Sequence, residues 1–330
     1  MSLNQGQARL RDLSITVVLA LVLSQFGLTL FLFTVPLYAL YYSKGVRDLL
    51  IATGSTIVLM FLITIWKTSS VADTDLKEAL IIIEMLIPVL LMLGMFFIID
   101  IIPALSGLRR LYRLFIATGV AVIVAIPVFR ILINNNNFTD VIESQMNMLA
   151  GVMTGSNDSS FESEVVQSYL GEEGFWGYMK RFYMKSAAAL YFLLLMIVTR
   201  ISDMLLFRFK QQPLLMLIDF TVPEILLWPT LLVSLGMLVE VFNLVSLGAV
   251  SPFIWNIGFI LLFLYGLQGF AILRTVFLKF KLPMSLRFMI EMIIIMILLI
   301  PGINYIVIIG LPVFGASETW IKLRKSIRST

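Results

Sequence analysis

Long apolar runs set the limits on what this chain can become. Residues 48–66, 78–102, 114–133, 187–206 and 253–277 are each about the length of a bilayer-crossing helix, roughly 20 residues. Only a helix or a closed barrel satisfies its own backbone polar groups in hydrocarbon, and runs this long and this uniformly apolar read as helices. Composition agrees: 60% of the residues are hydrophobic and 13% charged, with a mean hydropathy of +0.99. A soluble domain carries about 25% charged residues. The fold class read from this pattern is all-α, a polytopic transmembrane helix bundle.

One stretch cannot sit in lipid. Residues 134–185 open with Asn134 to Asn137, poor helix formers that end the preceding run. Ile142, Met146, Leu149 and Met153 then recur at helical spacing. After a turn cluster at residues 155–158, Ser159 and Glu162 form a capping-box pattern ahead of Phe161, Val165, Val166, Tyr169 and Leu170. Acids dominate until Lys180, Arg181 and Lys185. The expectation is an extracytoplasmic, amphipathic two-helix insert. It divides the chain into a membrane half at 1–133, the insert at 134–185 and a second membrane half at 186–316. A basic amphipathic cytoplasmic tail follows at 317–330, in which Lys322, Arg324, Lys325 and Arg328 suit an anionic leaflet.

Charge bias orients the bundle. Bases cluster at Arg109–Arg113, Arg208–Lys210, Lys279–Arg287 and in the tail, which places these turns in the cytoplasm. The polar turn at 67–77, the insert and the chargeless loop at 243–252 fall outside. Arg9 and Arg11 precede an apolar run as in a signal peptide, but that run continues to Tyr42 without a cleavage site, so it reads as uncleaved. Parity favours residues 13–42 and 289–314 as pairs of short or re-entrant passes, breaking near Gly27 and at Pro301–Gly302. The alternative is one long tilted helix at each end. The localisation expected is the cytoplasmic (inner) membrane, multi-pass, with both termini cytoplasmic. The run before Phe242 carries Pro223 and Pro229 near its start, so it should enter irregularly and span from about Leu226.

Histidine and cysteine are absent, which removes the commonest general base, the commonest metal ligand and the thiolate nucleophile. No phosphate-binding, zincin or nucleophile-elbow motif is present. The chain therefore reads as a non-enzyme with no metal and no cofactor. The net charge of +4 resides at segment ends, where topology accounts for it, and implies no nucleic acid.

Ionisable and amide side chains inside spans are the functional candidates, because a charge at the helix centre costs about 2.5–3.5 kcal/mol on insertion scales. Glu84 and Glu291 are the intramembrane carboxylates. Glu240, Asn243, Asn256 and Gln268 are candidate ligand-binding residues of a pocket opening outward. The competing reading is that the carboxylates snorkel or pair with bases and that the amides join helices. Arg200 and Asp203 lie near a span end and read as interface residues.

The second half carries a recognisable pattern: Tyr265-Gly266-Leu267-Gln268-Gly269 within a span, a basic turn, Pro301-Gly302, and residues 310–325 (GLPVFGASETWIKLRK). The first half adds Pro36-Leu37-Tyr38 ahead of Lys44-Gly45. In these features the chain resembles the YybS-like family of uncharacterised bacterial membrane proteins. That family is distantly similar to the S components of energy-coupling-factor transporters and to the rod-shape protein MreD. Family members end with an acidic residue before an aromatic-rich basic tail, where this chain has Glu318-Thr319-Trp320. The resemblance implies an S-component-like small-molecule binding or transport subunit, which would need membrane or ATPase partner subunits. The alternative is an MreD-like cell-envelope scaffold or interaction protein. It transfers no binding residue.

Overall fold

The computed structural model describes residues 2–26, 31–70, 74–99, 101–105, 107–133, 175–210, 217–300, 302–322 and 324. The two amphipathic helices expected within 134–174 lie outside the described residues. The remainder is helical, with ten α-helices among the described residues. In chain order these are α1 (Ser2–Gln25), α2 (Thr34–Lys44), α3 (Val46–Lys67), α4 (Thr74–Ile98) and α5 (Arg110–Ile133). They are followed by α6 (Phe175–Lys210), α7 (Leu227–Val241), α8 (Ser251–Lys279), α9 (Met284–Leu299) and α10 (Asn304–Ile321). Among the described residues, seven helical segments are long and apolar enough to cross a membrane: α3, residues 77–98 of α4, 110–128 of α5, 181–205 of α6, 224–241 including α7, 248–279 including α8, and α10. The protein is a multi-pass membrane protein of helix-bundle class. Its surface fits that solvent: Trp66, Trp228, Leu232, Phe253 and Ile306 are all more than two-thirds exposed.

Both end runs are broken. α1 stops at Gln25 and α2 begins at Thr34, so residues 13–42 are two helices. α9 stops at Leu299 and α10 begins at Asn304, with Gly302 at φ 89° where a side chain would be strained. α7 is entered through two short 3₁₀ turns, at Leu217–Asp219 and Glu224–Leu226, separated by the extended Pro223. A longer helix than expected follows the insert. Phe175 to Lys185 is continuous with the membrane run, so α6 absorbs the last residues assigned to the insert. The lone Gly177 costs a helix only about 1 kcal/mol, too little to stop so long a run.

The chain separates into two compact units. The first comprises Met1–Tyr183 with Leu190–Gln211, and the second Met184–Ala189 with Gln212–Thr330. In the first, α1 packs on α2 and α3, and α4 on α3 and α5. Phe33, Leu37, Leu49, Leu91, Met92, Phe192 and Leu195 are fully buried there. Gly94 gives α6 its approach: a Cβ on it would meet the Tyr191 hydroxyl at 2.5 Å and Leu195 at 2.6 Å. In the second unit α8 is central, packed against α7 and most extensively against α10, while α9 rests on α10 and buries none of its side chains. Tyr265, Leu261, Leu264 and Ile272 form its core.

Six hydroxyls inside the helices are satisfied locally. Thr56, Thr118, Thr199, Ser202, Thr230 and Thr275 each donate to the carbonyl four residues back. In hydrocarbon this is the cheapest way to bury a serine or threonine.

Candidate functional site

Glu240 sits in the last turn of α7 and is the hub of a small network within the second unit. Its Oε1 accepts from Lys185 Nζ and from Ser251 Oγ, each at 2.7 Å, and its Oε2 from Trp255 Nε1 at 2.8 Å. The Lys185 ammonium also lies 5.2 Å from the centre of the Trp255 ring, within cation–π range. Charge, hydrogen bonds and ring together make the most heavily engaged carboxylate among the described residues of this unit's α7–α8 end.

Asn256 grips the same short stretch of α6. Its Oδ1 accepts the backbone N–H of Ala188 at 2.8 Å and of Ala189 at 3.2 Å. Its Nδ2 donates to the carbonyls of Met184 at 2.9 Å and Pro252 at 2.7 Å. The side-chain amide thus straddles the Met184-to-Ala188 step of the helical ladder. Glu240 through Lys185, and Asn256 through the backbone, are why Met184–Ala189 belongs with α7 and α8.

Asn243 and Gln268 do other work. Asn243 is exposed and left-handed, at φ 51°. The N–H of Leu244 bonds Val239 O at 2.9 Å and that of Asn243 bonds Glu240 O at 3.0 Å, which is the Schellman ending of a helix. Asparagine tolerates that conformation better than other residues with a side chain. Gln268 is buried, accepting from Val222 N at 2.6 Å and donating to Gly315 O at 2.9 Å. It ties α8 both to the irregular entry before α7 and to α10. The four residues expected to line one outward pocket therefore occupy three separate places: Glu240 and Asn256 beside residues 184–189, Gln268 between helices, and Asn243 exposed at the end of α7.

The two intramembrane carboxylates also differ. Glu291 on α9 makes a two-pronged pair with Arg274 on α8, at 2.7 Å to Nε and 2.6 Å to the guanidinium tip. Glu84 is exposed on α4 and accepts from Thr64 Oγ1 at 3.2 Å.

Several polar clusters were not legible from spacing. Asp203, expected at an interface, binds Arg110, which also donates to the Tyr38 hydroxyl. Arg113 donates to Leu108 O and Ile98 O, both at 3.2 Å, closing the turn between α4 and α5. Arg9 binds Asp48 through Nε at 2.9 Å to both oxygens, and Lys44 pairs with Asp12 at 3.0 Å. The Lys44 ammonium holds the Asp12 carboxyl below the usual carboxylate range. Arg324 departs from its expected place in the tail, of which residues 323 and 325–330 lie outside the described residues. It is buried, pairs with Glu318 at 2.7 Å and donates to the carbonyls of Ile218 at 3.0 Å and Phe220 at 2.9 Å. Residues 317–321 complete α10 rather than starting a surface helix.

Among the described residues no acidic cluster could hold a metal ion. What the network around Glu240 can do is join helices: its donors and acceptors are matched within the protein. Comparison with protein-family models, with curated proteins and with solved structures finds no match to the chain, so the reading of function rests on its own residues and geometry.

Proposed function

We propose that this protein is a scaffold or interaction subunit of the bacterial cell envelope, of the kind the MreD-like side of its resemblance implies. It lies in the cytoplasmic membrane with both termini inside and the acidic segment 134–174 outside. One observation supports this above others. Glu240, Asn256 and Gln268 are each engaged by protein donors and acceptors across helices. A ligand would have to displace those partners, and each buried group so orphaned costs about 1–3 kcal/mol.

The test compares stability with ligand retention. In Glu240→Gln and Asn256→Ala, the scaffold reading expects a lower melting temperature, with about 1–2 kcal/mol lost per variant. Native mass spectrometry of the wild type should then show protein partners and no small-molecule adduct. An S-component-like subunit working with an ATPase partner gives the opposite result: a retained ligand that both variants lose while melting unchanged.

Orientation is tested separately. The cysteine-free chain allows single cysteines at will. Ser160→Cys should react with a membrane-impermeant maleimide in cells whose outer barrier, where there is one, has been permeabilised. Ser2→Cys and Ser329→Cys should react only after lysis. Labelling of either terminus in intact cells overturns the orientation.

A further inference from the structure

We infer that the cleft between α1 and α2 binds one anionic phospholipid, its phosphate at Lys44 and an acyl chain along the groove toward Leu19 and Pro36. The cleft has a volume of about 540 Å³, within the roughly 300–1,000 Å³ of small-molecule sites.

Its polarity is graded along its length. Asp12 on α1 reaches Lys44 on α2, and Leu19 and Pro36 line the same cleft, so α1 and α2 run antiparallel. Asp12, Ser43 and Lys44 line one end of the cleft, and Leu19 and Pro36 lie at the other. Seven residues of α1 separate Asp12 from Leu19, about 10 Å at 1.5 Å per residue. Over that distance the lining passes from an ion pair to Ile15, Leu19, Ala39 and Leu40. A headgroup followed by hydrocarbon changes polarity over the same span.

The cleft opens sideways. Leu40 forms a floor at 4% exposed, while Ile15 at 57% and Leu19 at 48% form walls with little covering them. An apolar occupant reaching such walls comes from the bilayer rather than from water. A soluble metabolite would leave them exposed.

Charge chooses among lipids. The groups at the polar end are Arg9, Arg11, Lys44 and Arg47, against Asp12 and Asp48. Arg9 and Asp48 neutralise each other, and Arg11 and Arg47 are exposed. The excess is positive, as in basic pockets that hold anionic headgroups. Lys44 and Asp12 are each 34% exposed, so the lysine can turn to a phosphate without leaving a buried acid behind.

Full-length protein, delipidated and returned to nanodiscs, should retain phosphatidylglycerol over phosphatidylcholine of the same chains when released for native mass spectrometry. Lys44→Ser combined with Arg47→Ser should lower phosphatidylglycerol retention about 30-fold, the effect of two bases near an anionic headgroup. Ala39→Phe, which fills the groove, should lower retention of both lipids. The melting temperature of each variant in phosphatidylcholine alone should match the wild type. Equal retention of the two lipids by the wild type, or undiminished phosphatidylglycerol in the double variant, overturns the inference. So does competition by soluble glycerol phosphate, which would mark an anion site without an acyl groove. Should a variant fail to fold, the wild-type melting temperature decides: phosphatidylglycerol must raise it more than phosphatidylcholine, and equal shifts overturn the inference.

Discussion

Gly315→Ala is expected to push α10 off α8 and to destabilise the second unit by about 3 kcal/mol, the upper part of the range for overpacking a well-filled contact. A Cβ at Gly315 would run into the backbone oxygen of Tyr265 and lie 2.8 Å from Gly269 N. Its counterpart, Gly269, faces Leu311 O just as closely. These obstacles are backbone, so no rotamer change relieves them and the helices themselves must part. Separation would also stretch the 2.9 Å bond from Gln268 to Gly315 O, leaving a buried amide unpaired. Small residues at such crossings let membrane helices approach and gain dispersion contacts that hydrocarbon does not otherwise supply. Thermal unfolding in detergent measures the loss. Gly310→Ala, where a Cβ meets nothing within 4 Å, is the control and should be near neutral. A Gly315→Ala protein that melts with the wild type would show that α8 and α10 do not meet at these glycines.

Arg324→Ala should be as damaging, at about 3–5 kcal/mol, because removing one partner strands the other in a buried place. Its side chain is 8% exposed and that of Glu318 13%. Two backbone carbonyls, of Ile218 and Phe220, depend on the same guanidinium. Arg324→Lys should recover only part of the loss, since one ammonium cannot copy the planar fork. The measurement is again the melting temperature, followed across salt concentration. A buried pair is poorly screened, so the difference between variant and wild type should persist in high salt. If Arg324→Ala instead melts normally and loses only salt-sensitive binding to anionic vesicles, Arg324 belongs to a surface tail.

These two residues show where a linear reading works and where it stops. The interruptions between α1 and α2 and between α9 and α10 were legible because helix breakers act locally along the chain. The entry to α7 from about Leu226 was legible for the same reason: Pro223 cannot continue a helix, and the next proline, Pro229, falls where a first turn tolerates it. Membership of the candidate pocket was not legible. Glu240, Asn243, Asn256 and Gln268 look alike as polar groups in apolar surroundings, yet they are a hub, a helix ending, a helix clamp and an interhelical bridge. What separates Glu240, Asn256 and Gln268 is the partner, and the partners lie at Lys185, Ala188, Val222 and Gly315. No periodicity encodes contacts 46 to 68 residues apart. Arg324 was misread for a related reason. Four bases in a short terminal segment resemble a membrane-surface helix, and only Ile218 and Phe220, more than a hundred residues upstream, reveal that one of them turns inward.

The length of α9 has a mechanical consequence. At 16 residues it is about 24 Å long, some 6 Å short of a ~30 Å hydrocarbon core. None of its side chains is buried by protein, so lipid rather than packing sets its surroundings. Laid across a bilayer, α9 forces the leaflets to pinch toward it, at a fraction of a kcal/mol for each ångström of compression. Elastic strain of that kind is shared with whatever stands beside it. Another thin-waisted protein, or a patch of shorter-chained lipid, relieves it on contact. A helix that buries none of its side chains would then be the one through which membrane thickness decides where in the plane the protein gathers.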